Sequence, residues 1–588
     1  MIKNIGTIDT IGAIIKTKTM EKITGGEALM LSLKAEGVKT IFGYPGGAIM
    51  PTYDSLYDYT RGEKKAFDHI LVRHEQAAAH AAEGYARVSG KVGVTLVTSG
   101  PGVTNTLTGV ADAMMDSTPI VVIAGQVATS VLGSDAFQEV DLVDVAQPIT
   151  KWAYQIRSAK DIAWAVSRAF YIARSGRPGP VVLDFTKNAQ TEKIDYEPAN
   201  VDFIRSYIPY PEPREEDLKA AAELINKAKK PMALVGQGVE LGNAQEELRA
   251  FLEKADIPAG RTLMGLSALP SNHKLNMGML GMHGSYSVNL KEQEADVLIA
   301  IGMRFSDRVT GNLDRYAKQA KVIHLDIDPS EIDKCVKTTV SVVADCKVSL
   351  PALTALVDKA DHSEWKESFQ PLRQQEIEHV ITPATKPTEG PLLMGEVAHA
   401  VAKATNSESV LVTDVGQNQL MSARYFKYHK SRSIATSGGM GTMGYGLPAA
   451  MGATFGAPER TICCFMGDGG LQMMIQEFGT IMEHQIPVKM ILLNNNYLGN
   501  VRQWQDMFFN HKQSFTPMVN PDFGKVAEAY GIAYRRVSER EDLNSAIQEM
   551  LNTDGPFLLE TIIKPDANVE PMTAPGKAVD EMILNIDC

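Results

Sequence analysis

The sequence predicts an α/β protein of three domains, each a doubly wound, mainly parallel sheet with flanking helices. Three observations carry this expectation. Short β-rich apolar runs alternate with helical patterns almost throughout the 588 residues. The runs are apolar along their whole length, as parallel strands buried on both faces require. Two polar, proline-bearing stretches interrupt the alternation and cut it into separate βαβ blocks.

Residues 1–20 hold lysines but no arginine and no signal-peptide apolar core, so they read as a flexible N-terminal extension. In the first block, residues 21–190, the strands are HILV (69–72), VGVTLVTS (92–99), IVVIAG (120–125) and VVLDF (181–185). Residues 191–214, with Pro198, Pro209, Pro211 and Pro213, read as a linker. The second block, 215–361, has MALVG (232–236), VLIAIG (297–302) and VIHLDID (322–328). The charged stretch 362–390, with Pro383 and Pro387, reads as a second linker. The third block, 391–566, has VLVTDVG (410–416), TICCFMG (461–467) and VKMILLNNN (488–496). Residues 567–588, with Pro571 and Pro575, read as a tail or lid.

Composition narrows the function. Apolar residues at 44% and charged residues at 22% exclude wholesale disorder. A net charge of −12 argues against a broad nucleic-acid or acidic-membrane surface. It leaves room for a local pocket that takes a phosphorylated cofactor. The five cysteines show no CxxC spacing, which suggests reduced thiols and a cytoplasmic protein. No run approaches the roughly 18 apolar residues that span a bilayer.

The strongest motif is Gly467-Asp468-Gly469, 24 residues, then Asn494-Asn495. Both ends fall at the carboxyl ends of expected strands, where open α/β sheets bind ligands. Asp468 and Asn495 are oxygen donors suited to Mg²⁺, whose octahedron phosphates would complete. The glycines let backbone N–H groups approach a phosphate. A bland turn beside an Asn-rich loop is the alternative. The second motif is Glu75 in LVRHEQAAAHAAEGYAR, a carboxylate opening an Ala-rich helix. Stabilising the helix dipole is its commonest role. The third is SGGMGTMGYGLPAA (437–450), where Met443 stands among glycines and otherwise reads as a gap-filler.

These motifs resemble the thiamine-diphosphate (ThDP) enzymes. The resemblance implies that Asp468 and Asn495 bind Mg²⁺ with the Tyr497 backbone carbonyl. It implies that Glu75 exchanges a proton with the cofactor's aminopyrimidine, an exchange that an apolar setting favours. In that family the glutamate acts across a homodimer interface. Met443 would prop the cofactor in its bent form. Gln417 and Asn418 would donate to the diphosphate, with Gly47, Gly416, Gly441, Gly469, Gly470, Leu498 and Gly499 also at the cofactor. Over about 21–570 the chain is similar to the acetolactate synthase (acetohydroxyacid synthase) large, catalytic subunits. IFGYPGGAIMPTYDSLY (41–57), RFSDRVTGN (304–312) and NNNYLGNVRQWQ (494–505) carry that likeness.

The middle block adds Gly236-Gln237-Gly238, weak alone. With LGMHG (280–284) and RFSDR it resembles the flavin pattern of FAD-containing acetolactate synthases. The likeness assigns to FAD the glycines Gly236, Gly238 and Gly302, the loop residues Met282 and His283, and Arg177, Arg304 and Arg308. It adds Asp307, Asp326, Ile327 and Asp345. Arg308 would also hold the acceptor carboxylate by bidentate hydrogen bonds; a partly exposed salt bridge is the alternative. Trp504 would favour 2-oxobutyrate by about 1–3 kcal/mol. Phe137, Gln138 and Lys187 fall at entrance or pocket positions.

The implied reaction decarboxylates pyruvate on ThDP. It joins the hydroxyethyl group to pyruvate or 2-oxobutyrate, in valine, leucine and isoleucine biosynthesis. A small regulatory subunit is a possible partner. An FAD-using pyruvate oxidase, another ThDP decarboxylase and a non-catalytic paralogue are the rival readings. The chain departs from the family's usual pattern at Asn418, at Asn500, at Ala128-Thr129 and at Ser306.

Overall fold

The computed structural model describes residues 22–584, so the expected extension at 1–20 lies outside the described residues. Three six-stranded parallel sheets form its core. The first sheet runs in the order 68–71, 40–43, 93–97, 120–126, 181–186, 152–156. The third runs 434–435, 410–413, 462–467, 489–494, 557–562, 533–537. Numbered within each domain, both read 2-1-3-4-6-5. The middle sheet reads 3-2-1-4-5-6, the dinucleotide-binding order, from 276–279 through 231–235 to 340–343.

The expected strands all form, most of them as apolar runs buried on both faces, while Asp68–Leu71 forms a partly exposed edge. Ile120–Gln126 and Lys489–Asn494 are buried at every position. The edge strands Trp152–Ile156 and Ala533–Val537 were not expected. They read WAYQI and AYRRV, and most of their side chains are half-buried, as an edge position allows.

One helix pair joins the first domain to the third. His74 caps helix Glu75–Ser89 by accepting from the Gln76 N–H, and left-handed Gly90 ends it. The helix lies along Gly446–Gly456 with backbones in close approach. A Cβ on Gly84 would sit 2.0 Å from the Ala449 carbonyl oxygen, and one on Gly452 1.8 Å from that of Ala81.

Both linkers are more structured than their composition suggests. Most of 362–390 is helical, through Ser363–Glu367, Gln370–Glu376 and Thr382–Thr385. Trp365 and Phe369 anchor it in the middle domain's core, and Trp365 donates its indole N–H to the Pro231 carbonyl. Buried Glu376 pairs with Arg424 of the third domain. Charge on the outer face had masked these anchors. Within 191–214, Lys193–Ile194 pairs with Ile23–Thr24. The tail is docked through residue 584: Thr573 donates its backbone N–H to Met282, and Asn312 donates its own to Lys577.

Candidate active site

A cavity of about 760 Å³ opens where the three domains meet. It lies at the carboxyl ends of the middle and third sheets, beside the point where each strand order reverses. That is where open α/β sheets take ligands.

The third domain supplies two strand ends. After strand Val410–Thr413, Val415–Asn418 lines the cavity, and Gly416 holds φ 100°, a conformation that favours glycine. Buried Asp414 does not reach outward. Its carboxylate accepts the backbone N–H groups of Val415, Gly444 and Gly446, clasping this turn to the Met443 loop. After strand Ile462–Gly467, Asp468 is buried and Gly469 and Gly470 line the wall. A Cβ on Gly499 would lie 2.2 Å from Gln417 Oε1, so a larger residue there would displace the Gln417 side chain.

Asp468, Asn495 and Tyr497 converge on the cavity. Asn495 Oδ1 accepts the Tyr497 backbone N–H at 3.2 Å, which fixes the turn. Burial holds the Asp468 carboxyl above its ordinary range. Asn520 was not foreseen. Its amide donates to Asp468 Oδ2 at 2.7 Å and also to Asn494 and Asn496. It therefore orients the oxygen set from outside, as outer-shell partners do.

Gln417 and Asn418 line the cavity, but their amide N–H groups are engaged within the chain. Gln417 donates to Gln503 and the Ala567 carbonyl, and Asn418 to the Val415 carbonyl. Their oxygens, with Thr442 Oγ1, are buried and unpartnered. Such groups are costly without a ligand, so this end of the cavity is chemically incomplete by itself. Gly441 and Met443 face the same space.

The middle domain forms the other end. Gly236, Gly238 and Gly302 pack so closely that a Cβ on Gly236 would meet the Gly302 carbonyl oxygen at 2.2 Å. Met282, His283, Ile327 and Asp345 line this end, and Asp345 also caps helix Cys346–Leu356. Burial pushes Asp326 up to about 7 and His283 down to about 4, so the imidazole is neutral at neutral pH. Arg177, from the first domain, pairs with Asp328 and Glu331 and donates to Ser117. Arg304 reaches Met115 Sδ at 3.1 Å.

Arg308 and Trp504 share the rim, with the guanidinium 5.9 Å from the indole ring. Asp307 pairs with Arg308 at 3.2 Å, and both side chains are exposed. The salt bridge expected as the alternative is therefore present, in a position still open to a ligand carboxylate.

Five expected residues do not line the cavity: Gly47, Glu75, Phe137, Gln138 and Lys187. Gly47 and Gln138 stand on turns at the carboxyl edge of the first sheet, and Glu75 and Lys187 open helices there. Glu75, half-buried, accepts from Asn105 Nδ2 at 2.9 Å. Gln138 holds φ 61°, and its carbonyl lies 2.8 Å from where a Gly100 Cβ would stand. Phe137 beside it is 88% exposed. Asn105 was not foreseen, because only folding brings it against Glu75.

Comparison with known proteins agrees with this division. Three family models match: the thiamine pyrophosphate enzyme N-terminal TPP binding domain over 23–145, the central domain over 218–353 and the C-terminal TPP binding domain over 414–561. The chain is 42% identical to the acetolactate synthase isozyme 2 large subunit of Escherichia coli over 562 residues. That match spans 95% of this chain and 99% of the relative. It is 41% identical over 574 residues to the acetolactate synthase large subunit of Lactococcus lactis, spanning 97% and 98% of the two chains. The chain belongs to the acetolactate synthase large subunits, a family of thiamine-diphosphate enzymes. A plant relative, acetolactate synthase 1, chloroplastic, of Nicotiana tabacum, is 40% identical over 608 residues, 99% of this chain and 89% of its own.

Proposed function

We propose that this protein decarboxylates pyruvate and joins the remaining two-carbon unit to a second 2-oxo acid. The products are 2-acetolactate from pyruvate and 2-aceto-2-hydroxybutyrate from 2-oxobutyrate. These are early intermediates of branched-chain amino-acid synthesis. The observation that carries the reading is the convergence of Asp468, Asn495 and Tyr497 with Arg308 and Trp504 on one cavity. It joins oxygen donors for a metal diphosphate to a cation and a flat apolar wall for an acceptor acid.

ThDP, when bound, supplies the nucleophilic carbon and the electron sink that decarboxylation needs. Asp468, Asn495 and the Tyr497 carbonyl would hold Mg²⁺, matching its preference for oxygen. Gln417 and Asn418 stand at this end, but their amide N–H groups are engaged within the chain, so donation to a diphosphate would need them to reorient. The glycine-walled middle end, with Arg177, Arg304 and His283, would hold FAD. The carboxylate of Glu75 would exchange a proton with the cofactor. Arg308 orients the acceptor carboxylate, and Met443 and Trp504 narrow the space around the reacting carbon.

Glu75, Gly47, Gln138 and Lys187 lie off the cavity, which supports a homodimer that presents this face to a second copy's cofactor. The family's large-subunit names support a small regulatory partner. Among the described residues no helix is long and apolar enough to cross a membrane. Free thiols at Cys335, Cys346, Cys463 and Cys464 fit a reducing compartment and support a cytoplasmic assignment.

The test incubates the full chain with ThDP, Mg²⁺, FAD and equimolar pyruvate and 2-oxobutyrate, with products identified by mass spectrometry. Acetohydroxybutyrate and acetolactate are expected. Acetaldehyde alone, or acetyl phosphate with peroxide, would overturn the reading in favour of a decarboxylase or an oxidase.

A further inference from the structure

We infer that Tyr210, on the segment between the first and middle domains, is a nucleotide-binding residue that stacks its ring on the adenine of FAD. The inference rests on the proposed flavin occupancy of the middle end. It adds a residue from a stretch whose sequence reads only as a linker.

Specific contacts hold that stretch in place. The Val201 backbone N–H donates to Ser167 Oγ at 2.9 Å, and Ile204 packs against the first domain's core. Tyr207 donates its hydroxyl to the Ser175 carbonyl at 2.9 Å and receives Lys151 Nζ at 3.2 Å. Its ring stands edge-on to Tyr171, 6.1 Å away. Gly176 holds φ 59°, and a Cβ there would meet Tyr207 Oη at 3.1 Å and the Pro209 carbonyl oxygen at 3.3 Å. The chain thus crosses closely over Gly176, next to Arg177, and Pro209 stiffens the backbone one residue before Tyr210. Of the described residues between 191 and 214, Tyr210 alone lines the cavity, although Phe203 and Ile208 are more exposed.

The neighbours of Tyr210 suit an adenosine. Its side chain is 54% exposed, so it is open to a ligand. Burial first, then the charges of Asp345 and Tyr171, raise its phenol, and Arg174 opposes them. Tyr210 therefore lies within reach of an acid of the middle domain and a base of the first, and both line the same cavity. Leu241, Gly242 and Cys346 line it as well. A Cβ on Gly242 would lie 2.5 Å from Asp345 Oδ1, so the absence of a side chain there keeps the carboxylate clear. A nucleobase offers its π-face to an aromatic ring. Ribose hydroxyls and the adenine amino group donate to carboxylates such as Asp345. The dione edge of the flavin ring presents carbonyl oxygens, which a carboxylate repels. The adenosine half therefore fits the Tyr210 end better than the flavin half does.

The experiment takes the full-length protein, freed of flavin and supplied with ThDP and Mg²⁺, and titrates it by calorimetry with FAD, FMN and ADP. FMN lacks the adenosine, and ADP lacks the flavin. Tyr210→Ala should weaken FAD and ADP by about tenfold and leave FMN unchanged. Tyr210→Phe, which keeps the ring and drops the hydroxyl, should bind all three as the wild type does. A residue that only folds the linker would weaken FAD and FMN alike. That result would overturn the assignment, as would loss of FAD affinity with ADP unmoved. The wild type separates the two readings. ADP binding that Tyr210→Ala weakens, with no binding of FAD or FMN, would remove the flavin reading and keep Tyr210 as an adenine contact. FAD binding that Tyr210→Ala leaves unchanged would keep the flavin reading and remove Tyr210.

Discussion

The first and third domains carry the same strand order, 2-1-3-4-6-5, yet use it differently. In the third, the reversal point opens into the central cavity through Val415–Asn418 and the Asp468 turn. In the first, the equivalent edge presents Glu75, Gly47 and Gln138, and none of them reaches that cavity. Exposed apolar side chains cluster in the same loops and the helix after them: Phe137, Met50 and Tyr57. The sheet order alone therefore does not decide chemistry; the loops that each sheet carries do. One copy of the fold turns its strand ends into the cavity, and the other turns Glu75 away from it.

The largest expected effect tests whether the two edges serve one reaction across two chains. Glu75→Gln should lower kcat by about 10²–10⁴-fold. Asp468→Ala should abolish Mg²⁺-dependent cofactor binding, read by titration. If each site draws Glu75 from one copy and Asp468 from the other, mixed and re-associated variants should regain roughly a quarter of wild-type activity. No recovery in mixed dimers would mean that the edges do not cooperate between subunits.

Support residues should separate the edges further. Asn520→Ala removes the donor to Asp468 and should weaken Mg²⁺ binding about 10–100-fold. Asn105→Ala, at the Glu75 edge, should lower turnover and leave the Mg²⁺ titration unchanged. Equal effects of both on metal affinity would erase the distinction. A smaller effect follows at the seam between the domains. Gly452→Val puts a side chain into the Ala81 backbone, and overpacking of this kind costs about 1–3 kcal/mol, visible as a lowered Tm.

Much of this was legible in the chain. Uniformly apolar runs marked most of the central strands, because burial on both faces leaves few polar positions to break them, whereas interior Phe557–Ile562, with buried Glu560, was not marked. The spacing of Asp468 and Asn495 marked two residues that line one cavity, because one βαβ unit fixes it. Edge strands such as AYRRV were not legible, since one exposed side lets charge into the pattern. Asn520 and Asn105 were not legible either. Asn520 is 52 residues from Asp468 and Asn105 is 30 from Glu75, and no local period encodes such pairings. The linker helices at 362–390 were missed because their few anchors, Trp365 and Phe369, are diluted by charge.

The seam also gives the two domains a shared pH response. Asp112, from the first domain, is fully buried and accepts from Ser437 Oγ of the third at 2.9 Å. Neighbouring Asp116 accepts the Gly438 and Gly439 backbone N–H groups of the loop that leads to Met443. Glu83, His80, Arg87, Asp414 and Tyr445 complete the surroundings. Burial first, then the nearby carboxylates Glu83 and Asp116, raises Asp112 well above the ordinary carboxylate range. A carboxyl raised in the folded state binds its proton more tightly there than in the unfolded chain. Its stabilisation is complete below the unfolded pKa and is lost as pH rises through the raised value. Asp112→Asn keeps a neutral acceptor for Ser437 and cannot ionise. Its Tm should match the wild type only below about pH 4 and exceed it increasingly, by a few degrees, as pH rises into mild alkali. A Tm difference that is constant across that range would show that Asp112 does not titrate at the seam.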